Sequence, residues 1–159
     1  MLYYFMPQFS KRTRPASGVI ECDNLPTLVL LTVCTKNRQK WLADPTIHRI
    51  LQGVWHEANR WHVGHYVLMP DHLHLFACPG EESCRFDDWV KFWKSLTSRR
   101  VPDSSFRWQK ASFHQRIRTY EGAEDRLAYM RMNPVRAGLV KSPKDWKYQG
   151  EIFKLGCWW

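Results

Sequence analysis

The stretch MPDHLHLF, Met69 to Phe76, limits the fold more than any other part of the chain. After a proline, polar and apolar residues alternate, and a period of two is the mark of a β-strand with one face on a core. His72 and His74 therefore leave one face of a sheet, with Cβ atoms about 6–7 Å apart, while Leu73 and Leu75 leave the other. Two imidazoles side by side suit a divalent ion, since imidazole accepts Mn, Fe, Ni, Cu or Zn. A polar sheet face with two ordinary histidines is the plain alternative.

The elements around this strand follow from local pattern. TLVLLTVCT, residues 27–35, is β-branched and apolar and reads as a buried strand. Asp44-Pro45 supplies an N-cap and a first-turn proline for a helix to about Trp61, with Ile47, Ile50, Leu51, Val54 and Trp55 on one face. GHYVLMP, residues 64–70, pairs with HLHLFAC as a hairpin, closed by Pro79-Gly80. Residues 85–100 form a second amphipathic helix carrying Phe86, Trp89, Val90, Trp93 and Leu96. Residues 101–112 read as a loop and 113–120 as a short strand. A third helix spans 123–132, with acidic residues in its first turn and a stop at Asn133-Pro134. The order of elements predicts α+β: a ferredoxin-like antiparallel sheet with helices on one face. Since Leu73 and Leu75 fill the helix side, the histidines belong to the other, open face.

With 159 residues the chain fits one domain. We divide it into a basic arm (1–25) with Lys11, Arg12 and Arg14, a domain (26–150) and a C-terminal tail (151–159). The formal charge of +9 favours a polyanionic partner, nucleic acid before membrane. No run approaches the ~18 apolar residues of a membrane span, and the basic residues follow the apolar ones at the N-terminus, the wrong order for a signal peptide. Five cysteines without metal-type spacing read as free thiols in a reducing cytosol.

Tyr129 and Asn133 are four residues apart on the third helix and share a face. A phenol with a free pKa of about 10 is a poor nucleophile. It can attack a phosphodiester once the phosphate is polarised and the leaving oxygen stabilised, both of which a divalent ion provides. Asn133 offers an amide oxygen as a third ligand. Phosphate oxygens favour a hard ion, Mg²⁺ or Mn²⁺, and the imidazoles tilt the choice to Mn²⁺. Tyr120 and Tyr66 are the other phenols in reach.

These segments, YVLMPDHLHLF (66–76), WQKASFHQRIR (108–118) and YMRMNPVRAGLV (129–140), resemble the REP-associated tyrosine transposases of the single-tyrosine HUH endonuclease family over roughly positions 27 to 148. The resemblance implies the HUH fold, His72 and His74 as metal ligands, and Tyr129 as nucleophile. It puts Asn133 where mobile relatives carry a third ligand, commonly Gln. It further implies a covalent 5′-phosphotyrosine on single-stranded DNA, a free 3′-hydroxyl, and action near REP hairpins. Asp71 departs from the Asn or Glu common before the first histidine, and the first 25 residues do not match the usual short glycine-containing start.

Basic and aromatic residues interleave in the rest of the chain, as single-stranded nucleic acid requires: cations neutralise phosphates and rings stack bases. Trp108, Arg107, Lys110, Arg116 and Arg118 are the best candidates, with Arg126 and Arg131 flanking Tyr129. Trp89 and Trp93, at helical spacing, belong to the core. The expected function is a metal-dependent single-stranded DNA endonuclease and strand transferase acting at hairpin DNA. No nucleotide cofactor or membrane is involved, the location is the bacterial cytoplasm on the nucleoid, and the chain works as a monomer or homodimer. The alternatives are a domesticated binder of hairpin DNA or RNA that does not cut, and a zinc hydrolase using Asp71.

Overall fold

The computed structural model describes residues 27–156 and 158–159. Lys11, Arg12 and Arg14, and with them the N-terminal arm, lie outside the described residues, as do Cys22 and Cys157. Five strands form one antiparallel sheet: β1 (Leu28–Thr35), β2 (Trp61–Leu68), β3 (His72–Pro79), β4 (Trp108–Ile117) and β5 (Gln149–Glu151), in the order β4-β1-β3-β2-β5. Among the described residues three α-helices accompany it: α1 (Pro45–Glu57), α2 (Phe86–Arg100) and α3 (Tyr120–Arg136). The α+β class and the antiparallel sheet are as the sequence implies.

β2 and β3 form the expected hairpin. The Met69 N–H donates to the His72 carbonyl at 2.7 Å, so Pro70-Asp71 turns the chain tightly just before the histidines. α1 begins where expected: the Asp44 carboxylate accepts from the Thr46 and Ile47 amides at 2.8 and 3.1 Å, with Pro45 in the first turn. It stops at Glu57, short of Trp61, because Trp61 opens β2.

Alternation sorts the strand residues into two cores. Val29, Leu31, Val33, Leu73 and Leu75 face α1 and α2, which bring Leu51, Val54, Trp55, Trp89 and Trp93. The Trp89 indole N–H donates to the Ala58 carbonyl at 2.7 Å and satisfies the C-terminal end of α1. Leu28, Phe76, Cys78 and Val67 face the other way, against Ala123, Leu127 and Met130 of α3 and Leu155 and Trp158 of the C-terminal segment.

The histidine face, expected to be open, is thus open only in part. β3 reads polar, polar, apolar, apolar along that face (His72, His74, Phe76, Cys78), and Phe76 and Cys78 are buried. Apolar residues at that end need a cover, and α3 supplies it.

β4 starts earlier than the expected 113, since Trp108–Ser112 pair with β1 across a bulge between Val33 and Thr35. α3 begins at Tyr120 and runs through Pro134 to Arg136, where Gly138, at φ 70°, turns the chain out. Cys34 and Cys84 are free thiols. Among the described residues no helix is long and apolar enough to cross a membrane.

Candidate functional site

His72 and His74 leave β3 on the same face, as the period of two requires. Their ring centroids are 4.9 Å apart and their planes nearly perpendicular, at 84°. Each ring is held at Nδ1. His72 donates from Nδ1 to the Asp71 carboxylate at 2.7 Å, and His74 Nδ1 lies 2.8 Å from the Thr32 hydroxyl on β1. A histidine tied at Nδ1 presents Nε2, and a carboxylate behind the ring raises its basicity, the usual support for a metal-bound imidazole.

Asp71 is in turn held by Arg38, whose Nε is 2.9 Å from Oδ2. Arg38 and its neighbour Asn37 both sit at positive φ, 57° and 55°, in the short 3-10 turn after β1. Two successive non-glycine residues in that region cost about 1–3 kcal/mol each, and the turn spends that strain placing the guanidinium beside Asp71. Burial would raise the Asp71 pKa, but the hydrogen bond and charge of His72, with Arg38, outweigh it and hold the carboxyl below its usual range. Burial, aided by the charges of His72 and Arg38, pushes His74 down to about 3, so its ring is neutral at physiological pH. Neutral imidazole is the form a metal needs.

These residues fit a divalent ion. Among the described residues there is no cluster of three or more His, Cys, Asp or Glu able to hold one. A shell built here would add the Asn133 amide, phosphate oxygens or water to the two imidazoles.

α3 crosses the same face. Its buried stripe is Ala123, Leu127, Met130 and Pro134. One flank carries Glu124, which accepts from the Trp159 indole, and Arg131, which lines a cleft with His65, Lys144 and Glu151 beside β2 and β5. At about 100° per residue, Arg126, Tyr129 and Asn133 fall on the opposite flank, the side of β3 and β1. Met130 lines the same cleft as Val67, the register partner of His74. The C-terminal half of α3 thus reaches the histidine end of the sheet. Tyr129 is 45% exposed and Asn133 half-buried. The guanidinium of Arg136 sits 4.2 Å from the centre of the Tyr129 ring.

The DNA candidates divide between the faces. Trp108 packs at 4.9 Å from Trp41 and 5.5 Å from Trp93, on the side of α1 and α2. Arg116 leaves β4 on that side as well, opposite Val29. Neither is brought to the histidines. Arg107, Lys110 and Arg118 are exposed on β4 or at its ends. Of the other phenols, Tyr66 is buried with its hydroxyl bonded to His48 and Gln52, and Tyr120 is exposed at the start of α3.

Thr32 and Arg38 escaped sequence reasoning. Asp71 had the one visible signal, a carboxylate next to the first histidine. Thr32 is found only through the β1–β3 register, which pairs it with His74.

No protein-family model matches the chain. A presumed REP-associated tyrosine transposase of Haemophilus influenzae is 27% identical over 94 residues, 51% of this chain and 53% of that protein. The chain thus spans about half the length of this relative. A REP-associated tyrosine transposase of Escherichia coli is 24% identical over 123 residues, 74% of this chain and 72% of that protein. Among solved structures, a REP-associated tyrosine transposase bound to a REP hairpin matches with a TM-score of 0.67 at 20% identity, over 89% of this chain and 82% of that one. A presumed transposase of Deinococcus radiodurans matches with a TM-score of 0.50 at 18% identity, over 75% of this chain and 95% of that one. In sequence and in fold alike, the chain resembles the REP-associated tyrosine transposases.

Proposed function

We propose that the chain is a divalent-metal-dependent endonuclease and strand transferase for single-stranded DNA at hairpins, working through a covalent tyrosyl–DNA link. The observation that carries the reading is the pair His72 and His74, each tied at Nδ1, on the sheet face crossed by α3, the helix that carries Tyr129 and Asn133. Similarity to REP-associated tyrosine transposases, one of them solved on a REP hairpin, supports the same partner.

In this reading His72, His74 and Asn133 hold Mg²⁺ or Mn²⁺. The ion supplies Lewis-acid polarisation of the scissile phosphate when bound. Asp71 and Thr32 keep the two rings oriented. The Tyr129 oxygen forms a bond to phosphorus as the bond from phosphorus to the 3′-oxygen breaks. The phenol loses its proton, and the departing oxygen gains one to leave as a 3′-hydroxyl. The phosphotyrosine conserves the bond energy for rejoining, so no nucleotide cofactor is needed. Arg136, already over the Tyr129 ring, puts a cation beside the attacking group, where it can pair with a phosphate oxygen.

The test is incubation with labelled single-stranded hairpin DNA and Mn²⁺. The expected product is a protein–DNA adduct that survives denaturation. Tyr129→Phe should keep hairpin binding and form no adduct; full cleavage by that variant would move the nucleophile elsewhere.

One observation favours a second reading. Tyr129 points well away from the buried stripe of α3 and is covered by Arg136. A chain that binds hairpin DNA or RNA without cutting it would tolerate that placement. Tight binding with neither adduct nor metal uptake would favour that reading.

A further inference from the structure

β4 carries an exposed ring that the proposed chemistry does not use. Phe113 is 48% exposed, a large apolar side chain in water on an edge strand. The register fixes where it points. Phe113 pairs with Thr32, and Thr32 pairs with His74, so the three stand in one row across β4, β1 and β3. The bond between the Thr32 hydroxyl and His74 places both on one face. The next residue, His114, meets Phe86 of α2 at 5.1 Å on the opposite face, as alternation demands. Phe113 is thus on the histidine face, two strand spacings, or about 10 Å, from His74.

Charge says what could lie there. Between Asp103 and Glu121 the sequence has no acidic residue and four cations; Arg116 leaves on the opposite face, and Arg107, Lys110 and Arg118 are exposed on β4 or at its ends. The carboxylate closest in sequence to the histidines, Asp71, is already engaged by His72 and Arg38. An aromatic ring on a cation-rich strand, beside two imidazoles able to hold a phosphate-binding ion, suits a single strand of nucleic acid. A ring about 10 Å from the ion can reach the base of a nucleotide adjoining the phosphate held there.

We propose that Phe113 is a stacking platform for an unpaired base flanking the scissile phosphate, and thereby positions the strand. The proposal rests on the function put forward above and adds a base-recognition role to it. Trp108, the more obvious ring in the sequence, is excluded from this role by its packing on the opposite face.

The test is binding of hairpin DNA with a single-stranded flank, with one abasic nucleotide moved along that flank, by wild type, Phe113→Ala, Phe113→Leu and Phe113→Trp. Removing a stacking ring should weaken binding of the intact strand between about fivefold and a hundredfold. Phe113→Leu should weaken it as well, since it keeps apolar bulk without a π face, and Phe113→Trp should restore it. On the strand lacking one particular base, wild type and Phe113→Ala should bind alike. Equal losses on every strand, no loss for Phe113→Ala, or full binding by Phe113→Leu would each overturn the proposal. So would a wild-type dimer that Phe113→Ala converts to a monomer, because the ring would then belong to an interface between copies. If wild type binds no hairpin at all, the proposed function falls and takes this inference with it; if wild type binds and cleaves while the abasic series shows no dependence on Phe113, only the inference falls.

Discussion

His74 keeps its ring neutral because burial makes the charged form costly, and this ties stability to pH in a fixed direction. Its pKa is pushed from 6.5 down to about 3 in the fold. Between those values the unfolded chain binds a proton that the folded chain refuses. Stability is therefore full above about pH 6.5 and falls as the pH is lowered toward 3, by up to about 1.4 kcal/mol per pH unit for one such group. His48 and His65, also lowered by burial, act in the same direction. Urea denaturation at pH 7 and pH 5, with chelator present, should show wild type losing more stability than His74→Asn. Equal losses would mean that the ring is protonated in the fold without cost. At this scale much was legible in advance. Period two alone sends His72 and His74 to one side and Leu73 and Leu75 to the other. Thr32 and Arg38 were not legible, because their roles depend on strand register and on a left-handed turn, and neither leaves a local pattern.

Among the elements, α3 shows where local pattern stops. Its sheet-facing stripe contains an alanine and a proline besides Leu127 and Met130, so its apolar period is faint. Asn133-Pro134 reads as a stop, since proline disfavours helix in the residue before it. The helix continues nonetheless, because Pro134 is buried on the sheet side and the turn is closed by the Ala137 N–H donating to the Asn133 carbonyl at 2.9 Å. The chain leaves at Gly138 instead, where φ is 70°. That two-residue overrun, with Val135 and Arg136, puts a cation over the Tyr129 ring. Two glycine substitutions should separate conformational need from mere presence. Gly138→Ala should destabilise the fold by about 1–2 kcal/mol, because a Cβ disfavours the left-handed region. Gly53→Ala, in the exposed interior of α1 with nothing within 4 Å of its added Cβ, should stabilise it by roughly 0.5–1 kcal/mol. Urea midpoints at constant m-value measure both, and shifts of the same sign would contradict the account.

Across the whole molecule, charge and shape divide the work of holding a nucleic acid. α1 and α2 seal one face of the sheet; α3 and the C-terminal segment cover the other from Phe76 and Cys78 across to Val67 and Met69. Beyond that cover the face carries the half-buried His72 and His74 and then the exposed Phe113, bordered by β4. Affinity from cations falls steeply with salt, whereas affinity from stacking hardly changes. Neutralising about five phosphates would give a slope of log K against log salt of about −4.5, or roughly 500-fold between 50 and 200 mM. Replacing Arg107, Lys110 and Arg118 with alanine should flatten that slope by about one for each phosphate no longer neutralised. Phe113→Ala should lower affinity and leave the slope as it was, and Tyr129→Phe should alter neither. Titrations of a labelled hairpin across that salt range distinguish these behaviours. An unchanged slope in the triple variant would shift phosphate binding away from β4, to the cations of α3 or to Lys11, Arg12 and Arg14.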